Sequence, residues 1–239
     1  MNAIPRPRFH VAAVIAITAL VFVGFARTFY VKFWFDVPVL TQLLIVHGVM
    51  FSTWLVLHFT QARLIAAHRV DLHRRLGVFG AVLGYSMFFV GVAVAVQSAA
   101  LGHQPTDAPP LVFMSVPVGT IVAFAALLTA ALVMRRRADW HKRLMLLATI
   151  ALIIPAAARL SSYFTGRNNP AIGIIATILL VAWCCIEDRR RTGRIHPAYK
   201  IAGTLLILSL PARLAIGYTE PWRHFAQWLV GFAPAMSLN

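Results

Sequence analysis

Two long stretches without a charged side chain constrain the fold of this chain more than any other feature. Neither residues 76–106 nor residues 108–134 contain an Asp, Glu, Lys or Arg. A helix needs about 20 mainly apolar residues to cross a bilayer, because each residue rises about 1.5 Å through a hydrocarbon core of about 30 Å. Apolar residues make up 60% of the chain and charged residues 12%, against about 45–50% and 25% in soluble domains. The sequence therefore predicts an integral membrane protein.

Seven segments have the length and hydropathy of a spanning helix, and they predict an all-α polytopic membrane protein. They cover approximately residues 10–31, 38–63, 73–98, 112–134, 141–163, 170–187 and 198–217. A shorter segment, residues 221–231, carries Trp222 and Trp228, and tryptophan favours the interface between membrane and water. We therefore expect a single transmembrane domain over residues 1–239 that ends in a short interfacial helix.

The basic residues are concentrated on one side of this topology. Sixteen of the 22 Lys and Arg residues fall in the N-terminal segment and in the loops after the second, fourth and sixth spans. The positive-inside rule makes that side cytoplasmic. We expect a protein of the bacterial inner membrane, with its N-terminus in the cytoplasm, its C-terminus in the periplasm and anionic lipid headgroups against the basic loops. Because topology accounts for the basic charge, no nucleic-acid partner is expected.

The first span has a second interpretation, since basic residues followed by an apolar run also begin a secretory signal peptide. The segment ends with small residues, Gly24 and Ala26, of the kind that precede a cleavage site. We interpret it as an uncleaved first helix, because the charge balance of the other loops requires a span at this position.

A hexapeptide motif occurs twice. Asp-Leu-His-Arg-Arg-Leu at residues 71–76 opens the third span, and Asp-Trp-His-Lys-Arg-Leu at residues 139–144 opens the fifth. A fainter copy, Arg-Ile-His-Pro at residues 194–197, opens the seventh. The second to seventh spans then form three hairpins of the same orientation after a lone first helix, which is a parallel repeat about an axis along the membrane normal.

Polar side chains follow one face of the second span. At helical spacing His47, Trp54, His58 and Gln61 lie on the same stripe. Ionisable residues inside a membrane are costly and are functional candidates by default, so we expect this stripe to face protein. His47 lies roughly 16 Å from His58 along the helix axis.

The histidines of the second, third and fifth spans are candidate ligands. Near the cytoplasmic face His58 can meet His73 or His141 on neighbouring helices, and these three form a candidate ligand set for haem b or a metal ion. His47 is a deeper candidate for cofactor binding. An alternative remains open for each of these candidates. For His73 and His141 it is that they face water at the interface. For His47 it is that the ring is a neutral imidazole bonded to a carbonyl that Pro155 or Pro211 frees.

Two arginines occur in related contexts near the outer ends of their spans. Arg159 stands in Ala-Arg-Leu of the fifth span, and Arg213 stands in Ala-Arg-Leu of the seventh. Such side chains extend to lipid phosphates or bind an anion, for example a haem propionate or a substrate carboxylate. Both arginines are therefore candidate cofactor-binding residues.

The histidine motifs also carry a family resemblance. His-Arg-Arg-Leu-Gly at residues 73–77 and His-Lys-Arg-Leu-Met at residues 141–145, together with His47, Trp54 and His58, resemble a family of bacterial multi-pass membrane proteins of unassigned activity. The resemblance covers most of the chain and implies a membrane location. A His-Arg pair that opens a span is also similar, more loosely, to bacterial families grouped with transmembrane haem-b proteins.

Three functions are compatible with these features. The first is a redox protein that binds haem b and passes electrons within the membrane, with quinone as a candidate partner. The second is a non-catalytic accessory or structural subunit of a larger membrane complex, and the third is a carrier of small molecules or ions. Whether the protein is an enzyme is left open, because the sequence contains no Gly-rich phosphate loop and no His-Glu-x-x-His motif.

The orientation is testable with topology reporters. Alkaline phosphatase fused after Asn239 should be active because the C-terminus is expected in the periplasm, whereas the same fusion within Arg135–Arg137 should be inactive. A fluorescent protein, which matures in the cytoplasm, should give the opposite pattern at both positions. Active phosphatase at Arg135–Arg137 would contradict the orientation.

Overall fold

The structure, a computed structural model, describes residues 8–103 and 107–233 of the chain, and these residues form helices joined by short turns and loops. Residues 1–7, which belong to the expected basic N-terminal segment, lie outside this description. No strand occurs within the described residues. The all-α class predicted from the sequence is confirmed.

The main helices are numbered in chain order. They are α1 Arg8–Phe25, α2 Gln42–Ala66, α3 Val70–Ala100, α4 Pro110–Val133, α5 Ala138–Ala151, α6 Ile154–Leu160, α7 Ser162–Thr165, α8 Pro170–Thr192, α9 Thr204–Gly217 and α10 Glu220–Val230. Two π-helical turns, Ala26–Tyr30 and Tyr199–Gly203, extend α1 and lead into α9. Two 3₁₀ turns, Lys32–Trp34 and Met134–Arg136, follow α1 and α4.

These helices account for the predicted spans. In the part of the chain that the structure describes, six continuous helical segments are long and apolar enough to cross a membrane: Phe9–Tyr30, Gln42–Ala66, Val70–Ala100, Pro110–Arg136, Pro170–Thr192 and Tyr199–Gly217. The helix α5 and the segment Ile154–Thr165, which comprises α6 and α7, provide a seventh crossing if they count as one span. The polytopic membrane fold is thus confirmed.

The fifth span, predicted as one helix over residues 141–163, is broken. The helix α5 ends at Ala151, α6 begins at Ile154, and the segment bends by 48°. Pro155 has no N–H, and its ring clashes with the carbonyl group four residues earlier, which is that of Ala151. The backbone N–H groups of Leu152 and Ile153 instead make short-range bonds of 3.2 Å to the carbonyls three residues before them. Proline therefore divides this span.

The predicted hairpins pair α2 with α3, α4 with α5 and α8 with α9, and the first two of these pairs pack side by side in the structure. The helix α3 packs along both α2 and α4, and α4 packs along α5 and α9. The third pair differs, because α8 packs mainly along α6 and α9 mainly along α4. The π-helical turn that leads into α9 approaches α8 where Gly203 lies against Val181. Large side chains such as Trp54 and Phe124 are buried in the centre of the bundle.

The C-terminal helix α10 lies across the ends of α3 and α4. Its Ala226 is completely buried against this surface. The indole N–H of Trp222 donates to the backbone carbonyl of Leu111 at 2.8 Å, while Phe225 and Trp228 are exposed. This arrangement is the short interfacial helix that the tryptophans predict.

A buried ion pair joins α5 to α8 at the end of the bundle where α5 begins. The Arg143 guanidinium binds the Asp188 carboxylate with both its Nε and an Nη atom, and each side chain is only 7% exposed. The other oxygen of Asp188 accepts from the backbone N–H of His196 at 2.7 Å. The His196 ring donates from Nε2 to Asp139 at 2.9 Å. The second and third copies of the motif are therefore bonded to each other.

Breaking this pair should destabilise the protein strongly. Removing one partner of a buried ion pair leaves an uncompensated charge and costs about 3–5 kcal/mol. We expect Asp188→Asn to lower the free energy of unfolding by this amount in detergent micelles, measured by thermal and denaturant unfolding. The double variant Arg143→Met/Asp188→Asn, which removes both charges and keeps an oxygen for the His196 N–H, should recover most of the loss. A single variant as stable as the wild type would contradict the assignment.

Candidate functional site

Three of the predicted ligands lie at one end of the bundle. His73 and His141 belong to the first turns of α3 and α5, and His58 lies two turns before α2 ends at Ala66. Because α2 runs opposite to α3 and α5, all three side chains are at the same end. We call His58, His73 and His141, with Gln61, the histidine cluster. Its members are half-buried.

The closest pair in the cluster is His73 with His141. Their ring centroids are 6.4 Å apart, and the ring planes are nearly perpendicular at 87°. This separation and tilt are also those of an ordinary edge-to-face contact between aromatic rings. The two imidazoles are close enough for one bound group to contact both.

The His141 ring is held by the backbone of α4. Its Nδ1 lies 2.8 Å from the carbonyl oxygen of Ala131. A carbonyl only accepts, so Nδ1 carries the proton and Nε2 keeps its lone pair. Histidine ligands of metals usually donate their second nitrogen in this way, which fixes both the ring and its tautomer. The structure thus presents His141 Nε2 as a possible ligand.

The His58 ring is held by a hydroxyl group that sequence reasoning missed. Thr149 Oγ1 lies 2.7 Å from His58 Nδ1, accepts from the Trp54 indole at 3.2 Å and donates to the carbonyl of Met145 at 3.2 Å. Whether Thr149 Oγ1 or His58 Nδ1 donates in this bond depends on the tautomer of the ring. One feature of the sequence could have indicated Thr149: it lies eight residues after His141, about two helical turns further along the same face of α5.

Two polar atoms of the cluster have no hydrogen-bond partner. Both His73 Nδ1 and Gln61 Oε1 are buried and unpaired. The Gln61 amide nitrogen lies 3.7 Å from where a Cβ on Gly77 would be, so this side chain faces α3. A buried polar group without a partner costs free energy and calls for an explanation, of which a bound group is one.

The available donors favour a group that brings ligands of its own. In the described residues there is no group of three or more His, Cys, Asp or Glu residues that could hold a metal ion. A structural zinc site needs about four protein ligands. Haem iron already has four porphyrin nitrogens and takes its remaining ligands from side chains such as histidine. His73 and His141 as ligands of this kind, and His58 as a third, stay predictions.

The polar stripe of α2 faces protein, as expected. Trp54 is 2% exposed, and Nδ1 of His47 is buried. The His47 ring stacks on Phe51 at 4.0 Å, and its Nδ1 has no hydrogen-bond partner. The structure therefore shows no bond from this nitrogen to a carbonyl freed by proline.

The two candidate arginines lie away from the histidine cluster. Arg159 follows the break in the fifth span, donates to the carbonyl of Pro155 at 3.0 Å and covers the ring of Phe25 at 4.5 Å. Arg213 lies 13 residues beyond Lys200, about 20 Å along the axis of the seventh span. The structure does not combine either arginine with His73 and His141 into one site.

Comparison with protein-family models, with curated proteins and with solved structures gives no match to this chain. The resemblance drawn from the histidine motifs stays a prediction. Any assignment of function therefore rests on the geometry of the site.

The hydroxyl of Thr149 should be essential to the order of the cluster. Thr149→Val keeps the shape of the side chain but leaves the Trp54 N–H and His58 Nδ1 without a partner, at a cost of about 1–3 kcal/mol for each buried group. We expect a lower melting temperature for Thr149→Val and a nearly unchanged one for Thr149→Ser, which retains the hydroxyl. Circular dichroism of the purified protein would measure both. Equal loss in the two variants would show that the methyl group, not the hydroxyl, matters.

Proposed function

We propose that this membrane protein binds haem b between His73 and His141 and transfers electrons within the bilayer. The separation of 6.4 Å between the two imidazole rings is the observation that carries the proposal. The two histidines come from equivalent positions of the repeated motif, on different helices. Haem bound at this pair would supply one-electron exchange.

The chain itself would fix the ligands before the cofactor binds. The Ala131 carbonyl orients His141 and makes its Nε2 more basic, as hydrogen-bonded partners of metal ligands do. The unpaired Nδ1 of His73 is a nitrogen that the cofactor would satisfy. Apolar side chains of the surrounding helices would keep the site at low dielectric, which tunes its potential.

We place His58 beside this pair and not on it. Its Nδ1 is committed to Thr149 at 2.7 Å, so the nitrogen that remains available is Nε2. Removing this ring would change the polarity next to the haem, and with it the potential.

The location and partners of the protein belong to the same proposal. The charge pattern supports the bacterial inner membrane, with the histidine cluster on the cytoplasmic side among anionic lipids. An electron carrier in this position requires a donor and an acceptor. A quinone or another membrane subunit is the proposed partner, because the described residues form no large domain outside the helical bundle.

Absorption spectroscopy tests the proposal. Protein produced with added haem precursor and purified in detergent should show a Soret band and bind about one haem per chain. His73→Ala and His141→Ala should each abolish the band, because each removes an imidazole that would hold the haem. His58→Ala should keep the band but shift the midpoint potential in a redox titration.

Controls separate ligand loss from misfolding. His68→Ala and His103→Ala change exposed histidines and should retain the band, while circular dichroism should show the same helix content in all variants. A folded wild type that never takes up haem would end the electron-transfer proposal. In that case an accessory subunit or a carrier, the other functions compatible with the sequence, would be the interpretation to test.

A further inference from the structure

Among the residues whose burial the structure describes, two arginines are almost completely buried, and one of these two has a counter-charge. Arg143 is 6% exposed and is neutralised by Asp188. Arg213 is 4% exposed, yet no carboxylate in the described part of the chain lies within 4.0 Å of it. A buried charge without a partner is strongly unfavourable, more so within a membrane.

The neighbours of Arg213 offer hydroxyl dipoles in place of a charge. One Nη donates to Thr120 Oγ1 and the other to Ser209 Oγ, both at 2.9 Å. Each hydroxyl in turn donates its proton to a carbonyl of its own helix, that of Val116 or of Leu206. Thr120 and Ser209 therefore act only as acceptors here, and they orient the guanidinium without neutralising it.

Part of the guanidinium is left without any partner. Its Nε is buried and makes no hydrogen bond. A guanidinium has five N–H groups, so more donors are present than Thr120 and Ser209 can satisfy. The planar guanidinium binds carboxylates and phosphates through several N–H groups at once, so these unused donors are suited to such a group.

The contact between α4 and α9 accommodates this side chain. Arg213 lies over Gly119, where a Cβ would come within 2.7 Å of the arginine Cγ. Only glycine at this position leaves room for the stem of Arg213 without displacing it. The arginine is thus built into the helix contact.

The position of Arg213 places it close to one end of the bundle. It lies four residues before α9 ends at Gly217, about 6 Å along the axis. The interfacial helix α10 follows at once and packs on the same helices, α4 and α9. Lipid headgroups and small anions in water would both be present at this depth.

We propose that Arg213 is the centre of an oxyanion-binding site between α4 and α9. The anion, a phosphate or carboxylate group, would pair with the guanidinium and accept from its unsatisfied N–H groups. The phosphate of a phospholipid and a small free anion share this chemistry. The site is independent of haem binding, since it lies away from His73 and His141.

An internal carboxylate should replace the bound anion. The Thr120 hydroxyl oxygen already lies 2.9 Å from the Arg213 guanidinium. A carboxylate at the same position, in Thr120→Asp, should therefore form an ion pair with Arg213 within the protein. Thr120→Asn, of equal size but neutral, is the matched control. The measurement is the thermal unfolding midpoint of protein in uncharged detergent, in sodium phosphate or acetate against sodium chloride at equal ionic strength.

We expect the wild type to show a saturable upward shift of about 2–4 °C with the oxyanion, as for a ligand that binds the folded state alone. Thr120→Asn, which keeps an oxygen for the guanidinium and adds no charge, should still show an upward shift. Thr120→Asp should start from a higher midpoint and show no shift, and Arg213→Gln should show none. A second arm compares phosphatidylglycerol with phosphatidylcholine in mixed micelles. A shift with inorganic phosphate identifies a free anion, and a shift with phosphatidylglycerol alone identifies a lipid headgroup.

Two outcomes would overturn the proposal. One is a wild type whose midpoint responds to none of the oxyanions and to neither lipid. The other is a Thr120→Asp variant that responds as strongly as the wild type. Because Thr120→Asp adds a favourable pair, its result remains interpretable even if Arg213→Gln fails to fold.

Discussion

The lipid core offers no hydrogen bonds, and this constraint governs the structure at every level. Backbone groups inside a bilayer must bond within their own segment, which leaves helices as the elements of this chain. Polar side chains must then be satisfied by neighbouring helices. Thr149 accepts from Trp54 and bonds His58, so one hydroxyl links α2 to α5 at two places. Few polar groups are present, and each has a large influence on which helices meet.

The class and most of the spans could be predicted from the sequence because the membrane imposes a length and a composition. The packing of the helices could not. Residues that face lipid and residues that face protein are both apolar, so the pattern does not tell α8 to pack on α6 and α9 on α4. Pro155 is visible in the sequence, but a proline ends some membrane helices and merely kinks others. Only the packing around Ala151 and Ile154 shows that this helix breaks.

The candidate site was predictable to a similar extent. The stripe of His47, Trp54 and His58 faces inward, because helical spacing alone places these residues on one side of α2. The partner that fixes His58 was not predictable, since a single threonine in an apolar helix usually bonds its own backbone. Arg159 and Arg213 look alike in sequence, yet one is half-buried over Phe25 and the other is enclosed between α4 and α9. Their surroundings decide their chemistry.

The repeated motif gives a physical reason why two histidines meet. Helices related by a parallel repeat begin at the same membrane face, so equivalent residues in their first turns lie at equal depth. His73 and His141 meet in this way, whereas the equivalent charged residues make different contacts in the two copies. In the second copy Asp139 bonds His196 and Arg143 bonds Asp188, while Asp71 and Arg75 of the first copy are exposed. The polar bonds of the second copy fix α5 in place, and the position of His141 relative to His73 depends on them.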